Sequence, residues 1–175
     1  FAALIACNGN NELAVKGATL LMLAHGLTIA LLFLLTGQIE SQTKTLELDS
    51  MGGLAQKLPT LGFLFGLAGL ASIGLPLLAN FAGEFTIFVS AFAGWAPTTD
   101  CICTSLGPVQ ICLIFALWGL VISAIYMLRA FRRIFESDVA RTSERATKLT
   151  ACDLIAACFL AVFIVLFGIL PPTCL

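Results

Sequence analysis

The chain has 175 residues, of which 59% are hydrophobic and only 11% charged, with a formal net charge of -1. Soluble domains carry about 25% charged residues, so a chain with a mean hydropathy of +1.03 cannot cover its own surface in water. No basic face for nucleic acid and no Gly-rich phosphate loop is present, which excludes nucleic-acid partners and nucleotide chemistry.

A very apolar soluble core is excluded by run length. No charged residue occurs from Leu58 to Gly83, and none from Cys101 to Leu128, whereas a membrane-spanning helix needs about 20 such residues. The expected fold is all-α: a polytopic transmembrane helix bundle of four spans plus an N-terminal stub, in one membrane domain covering 1–175. The stub, Phe1 to Cys7, is apolar without a basic region before it, so it reads as the tail of a span and not as a signal peptide. A first residue other than Met suggests a processed or fragmentary chain.

The first span is expected over 17–38, with His25 as its single ionisable group. The second is expected over 58–92. As one straight helix its roughly 35 residues would reach about 50 Å, against a hydrocarbon core of about 30 Å. It is therefore either a hairpin or a single discontinuous helix broken near 74–76, where Gly74 and Pro76 supply the break. Proline lacks a backbone donor and disfavours helical geometry in the residue before it. A third span is expected over 109–128 and a fourth over 154–170, stopped by Pro171 and Pro172, with a polar loop over 129–153 between them.

Loop charge chooses between hairpin and broken crossing. Lys44 and Lys57 lie before the second span, and Arg129, Arg132, Arg133, Arg141, Arg145 and Lys148 follow the third. A single crossing puts every basic residue but Lys16 on one side, as the positive-inside rule favours; a hairpin divides them. The basic side is then cytoplasmic or matrix-facing.

Within the spans, Glu84 carries the strongest functional signal. It follows Pro76 by eight residues and has only uncharged neighbours, Phe81 to Gly83 and Phe85 to Ile87. A carboxylate at that depth is expensive and usually faces a protein interior or a water path. Removal from water disfavours its charged form, which suits reversible protonation. The alternative is a carboxylate at the span end, with Phe92 eight residues on; acids reach the interface poorly, so the functional reading is preferred. His25, beside Gly26, suits a proton carrier and equally a neutral hydrogen-bonding link between helices.

Lys16, Arg129, Arg132 and Arg133 read as interfacial anchors, Tyr126 as part of an interface belt, and Trp118 as packing. The seven cysteines are odd in number. Cys7, Cys112 and Cys158 read as small hydrophobes. Cys101 and Cys103 have Cys-x-Cys spacing without a neighbouring His or further Cys, so a structural role is favoured over a metal site.

An ordered set of motifs then resembles a known family. Leu23-Ala24-His25-Gly26-Leu27 with Leu31 to Gly37, then Gly52-Gly53-Leu54-Ala55 and Lys57-Leu58-Pro59, then Ala71 to Pro76 and Asn80 to Phe85, then Tyr126 to Arg129 and Arg132 to Phe135, are similar to the antiporter-like membrane subunits of respiratory complex I, in the chain 4 (subunit M) group. Any one motif is weak; their order and spacing along nearly the whole chain are specific.

The resemblance implies that Glu84 is an acid near the proton exit of a central hydrophilic axis and that His25 is a relay on it. It implies a membrane subunit of a proton-translocating NADH:ubiquinone oxidoreductase, with no redox chemistry on this chain and no cofactor. The implied partners are the other complex I membrane subunits and lipid, in the mitochondrial inner membrane or, alternatively, a bacterial plasma membrane. Family members are far longer, and no lysine lies inside a span here. The chain is therefore expected to be the C-terminal piece of a split subunit, with its N-terminal part on a partner chain. The alternatives are a sodium–proton antiporter or membrane hydrogenase subunit of the same superfamily, and a structural membrane piece that does not pump.

Overall fold

A computed structural model describes residues 12–92, 108–138 and 151–170. The stub at Phe1 to Cys7, Cys101 with Cys103, most of the polar loop and the Pro171-Pro172 stop lie outside the described residues. Everything described is helix or connection, without a strand. The elements are α1 (Glu12–Thr43), α2 (Leu54–Lys57), α3 (Pro59–Ser72), α4 (Ala79–Phe92), α5 (Pro108–Phe131) and α6 (Ala151–Ile169). A 3₁₀ turn at Leu48–Ser50 precedes α2, and a π-helical turn at Arg132–Glu136 prolongs α5.

Three of these helical stretches are long and apolar enough to cross a membrane: Glu12–Thr43, Val109–Glu136 and Ala151–Ile169. The stretch expected as the second span, 58–92, holds two helices of 14 residues each, separated by a non-helical link over 73–78. Each is about 21 Å long, too short to cross alone.

The apolar setting governs the polar residues of α1. Each of its four threonines turns its hydroxyl back onto the carbonyl four residues earlier: Thr19 to Val15, Thr28 to Ala24, Thr36 to Leu32 and Thr43 to Ile39, at 2.8–2.9 Å. A hydroxyl that cannot reach water is satisfied by its own helix.

Packing fixes helix direction. Gly83 of α4 lies against the backbone of Leu21, Gly17 of α1 lies against Thr86 and Ile87, and Thr28 meets Asn80. Residue numbers rise along α1 as they fall along α4, so the two run antiparallel. On α3, Gly62, Gly66 and Gly69 form a shallow groove that receives Phe135, Phe131 and Met127 in turn. α5 with its π turn is thus antiparallel to α3, and the Phe65 and Phe135 rings stand 5.3 Å apart. At the other end of α5, the Gln110 amide donates to the Ala91 carbonyl at the end of α4 (2.9 Å). α5 therefore reaches from the end of α4 to the start of α3.

The segment after α1 closes one end of the bundle. Asp49 pairs with Arg133, and Gly52 abuts Ser137 and the Asp138 carbonyl. Met51, Leu54 and Leu58 bury into the main core with Leu31, Leu35, Ile39, Leu61, Phe135, Ala157, Ala161 and Ile164.

Among the described residues nothing covers the outer faces. Trp118, expected to pack, is 64% exposed on α5 beside Phe115 and Ile122. The reason is geometric: among the described residues of α5 only Leu113 is a fully buried side chain, and Trp118, five residues on, points about 140° away from it around the helix. Tyr126 is also exposed.

Close helix approach makes a prediction. Gly83→Ala places a Cβ within 2.8 Å of the Leu21 backbone and should destabilise the full chain in detergent by about 1–3 kcal/mol, although alanine is the better helix former. Gly37→Ala, which meets nothing within 4 Å, should be neutral or stabilising by up to about 1 kcal/mol. Denaturant unfolding followed by circular dichroism measures both.

Candidate functional site

The site is built on the non-helical link between α3 and α4. α3 ends in a Schellman cap: Leu75 N–H donates to the Leu70 carbonyl (3.2 Å) and Gly74 N–H to the Ala71 carbonyl (3.1 Å). Gly74 occupies the left-handed position that this motif requires, at φ 78°, where glycine carries no Cβ penalty. The chain then makes a second turn, closed by Leu78 N–H on the Leu75 carbonyl (3.2 Å). Pro76 holds its second position and Leu77 its third, with φ 76°, the arrangement of a type II turn. Leucine is a poor occupant of a place that favours glycine or asparagine, and such a conformation costs on the order of 1–3 kcal/mol. α4 starts immediately afterwards, at Ala79.

Glu84 is the sixth residue of α4. Side chains on a helix lean towards its N-terminus, so the carboxyl group reaches back to the link. There it rests on Gly74: a Cβ at that position would overlap Glu84 Oε2 and stand 2.9 Å from the carboxyl carbon. Gly74 thus serves both the cap and the carboxyl group. Among the described residues no side chain donates a hydrogen bond to Glu84 or forms an ion pair with it, and the residue is half-buried.

Three sequence-derived residues, Gly74, Pro76 and Glu84, therefore form one local unit. His25 does not join it. Its side chain is exposed on α1, on the side that carries Met22 and Phe33, which are 73% and 74% exposed. It makes no hydrogen bond or ion pair with a described residue.

Between the helices bearing His25 and Glu84 lies a polar pair that the motifs did not single out. Thr28 and Asn80 are 0% and 1% exposed, and Thr28 Oγ1 stands 3.3 Å from Asn80 Oδ1 while it donates to the Ala24 carbonyl. For Asn80 the spacing was a usable signal, since it lies four residues before Glu84 on the same side of α4; Thr28 lies three residues after His25 but is buried against α4, while His25 faces outward. Leu77 and Gly168 of α6, which abuts the Leu77 carbonyl, complete the surroundings of the link. No sequence pattern marks them. Among the described residues no three His, Cys, Asp or Glu converge as a metal site.

Carboxyl groups set beside non-helical links within apolar helix bundles recur at the ion sites of membrane proteins. The chain belongs to the proton-antiporter membrane family described as NADH:quinone oxidoreductase/Mrp antiporter, whose profile matches residues 2–107. It is 38% identical over 134 residues to NAD(P)H-quinone oxidoreductase chain 4 of a Synechococcus species, covering 75% of this chain and 24% of that protein. It is 32% identical over 168 residues to NADH-quinone oxidoreductase subunit M of Pseudomonas aeruginosa, covering 96% and 30% respectively. A chain of respiratory complex I from Thermus thermophilus superposes with a TM-score of 0.76 at 28% identity, over 93% of this chain and 31% of that one. The chain thus spans between 24% and 31% of the length of these relatives.

The contact between Gly74 and Glu84 is testable by a double-mutant cycle. Gly74→Ala should destabilise the chain by more than about 1 kcal/mol, since alanine resists positive φ and meets the carboxyl group. Glu84→Ala in the same chain should relieve part of that loss, with a coupling of about 0.5–3 kcal/mol. Additive effects in denaturant unfolding would show that the carboxyl group does not lie on the cap.

Proposed function

We propose that this chain supplies the exit-side part of a proton path in an antiporter-like subunit of NADH:quinone oxidoreductase, and that Glu84 is the group that takes up and releases the proton. The observation that carries the reading is the placement of the Glu84 carboxyl group on the Gly74 cap, where α3 stops and α4 begins. Helix ends at membrane depth are recurrent ion sites, because they bring dipole ends and free backbone groups to one point. The family membership supports the same reading.

In this reading α3 and α4 are two halves of one crossing. α1 runs antiparallel to α4, and α5 starts beside the end of α4 and runs antiparallel to α3 towards its start. A hairpin would lay α3 along α4, yet their mutual contact is slight beside that of either with α1. The pairing of Asp49 with Arg133 brings the two basic connections to the same end of the bundle, as a single crossing with a positive inner side requires. Glu84, past the link, then lies on the outward half.

His25 is read as a relay on the axis, facing a partner chain across the exposed side of α1. That partner is the N-terminal part of the same subunit, carrying the remaining ionisable groups, and the chain is its C-terminal part. The other membrane subunits of the complex and lipid cover the remaining apolar faces. Electrons pass elsewhere in the complex, and no redox step falls to this chain. The membrane is the inner mitochondrial one, with a bacterial plasma membrane as the alternative. The family description also embraces Mrp antiporters; copurification with NADH-oxidising subunits distinguishes the two.

The direct test is Glu84→Gln, which keeps the shape and removes the titrating group. Proton translocation coupled to NADH oxidation in sealed vesicles should fall by about tenfold or more, while assembly of the complex is kept. His25→Ala should lower it as well. Unchanged translocation in Glu84→Gln would leave the chain a structural piece that does not pump.

A further inference from the structure

α6 meets the link between α3 and α4 closely at Gly168. A Cβ there would overlap the Leu77 carbonyl oxygen and stand 2.6 Å from the Leu78 carbonyl carbon. These are backbone atoms, with no flexible side-chain end to give way. Any side chain at 168 therefore displaces either α6 or the Leu77–Leu78 peptide.

That peptide is the strained half of the type II turn. Leucine at φ 76° persists only where its surroundings over-determine it. On one side the turn is tied to α3 by the hydrogen bonds of the Schellman cap. On the other it is seated on α6. Only Leu75 and Pro76 separate Leu77 from Gly74, and Gly74 carries the Glu84 carboxyl group. A displacement of the Leu77 carbonyl is thus passed to the carboxyl group within three residues. α6 is itself anchored in the main core by Ala157, Ala161 and Ile164, so it forms a firm seat.

We propose that Gly168 is a positioning residue for the Glu84 site: its lack of a side chain lets α6 seat the Leu77–Leu78 peptide and so sets the Gly74 backbone on which the Glu84 carboxyl group rests. The inference builds on the reading of Glu84 as the proton-transferring group, but the position of the carboxyl group can be followed apart from pumping. Gly168 does not touch the proton; it acts through the turn.

The experiment uses the full chain in its assembled complex. The infrared carboxyl band of Glu84 is identified as the one lost in Glu84→Gln. Gly168→Ala should move that band, because the hydrogen-bonding surroundings of the group change, and should lower proton translocation by about tenfold or more, since a misplacement of about 1 Å can cost about 10²-fold. Gly119→Ala, a glycine of α5 with nothing within 4 Å, should move neither. Adding Leu77→Gly to Gly168→Ala should return the band towards its original place, because glycine lets the turn yield without strain.

A band that stays in place in assembled Gly168→Ala overturns the proposal. If Gly168→Ala does not assemble, the double variant decides: recovery of assembly with Leu77→Gly supports the seat, and no recovery overturns it. If the band moves but Glu84→Gln pumps normally, the positioning stands and the proton-path reading falls.

Discussion

Hydrocarbon offers no partner to a backbone N–H or C=O, so a chain that stops being helical at membrane depth must satisfy those groups internally. In the proposed crossing by α3 and α4, the link between them meets that demand with two turns in succession. The Schellman cap uses the N–H groups of Gly74 and Leu75, and the following turn uses Leu78 N–H. The requirement dictates which residues can stand there. Position 74 needs a glycine for its backbone angle, and the same absence of a side chain opens the room that the Glu84 carboxyl group fills. Leu77 accepts a conformation that it would not choose alone. Cap, turn and carboxyl group are consequences of one hydrogen-bonding constraint.

The rest of the bundle supports that link with little drive from hydrophobic burial. In a membrane, lipid tails are as apolar as leucine, so helices associate through close fit and a few polar contacts. The glycine groove of α3 receives Phe135, Phe131 and Met127, and Gly83 lets α4 approach the backbone of α1. Thr28 and Asn80 add a buried polar contact between those two helices. α1 and α5 are long and each lies alongside both short helices, which holds the ends of the link in place although α3 and α4 touch each other little.

The proposed proton chemistry follows from the same economy of polar groups. A carboxyl group without a charged partner among the described residues, set beside a non-helical stretch of backbone, can change its protonation state without first breaking an ion pair. His25 stands apart on an exposed side of α1. In the proposed path between it and Glu84, the missing part faces the side of α1 that carries Met22 and Phe33, which the described residues leave uncovered.

Much of this was legible in the amino-acid sequence, because membrane burial writes itself into composition. Long charge-free runs announce helices that lie in hydrocarbon, a lone Glu84 announces itself by its cost, and Gly74 with Pro76 marks a place where a helix cannot continue. Ordered motifs identified the family. The tertiary structure decided what depends on distance and direction. Only folding brings Glu84 back onto Gly74, pairs Thr28 with Asn80 across 52 residues, seats Gly168 of α6 on the Leu77 carbonyl and turns His25 and Trp118 outward. One-dimensional spacing records which face of its own helix a residue occupies. What that face meets is settled by the packing of the other helices, and a glycine that matters for close approach looks, in sequence, like any other.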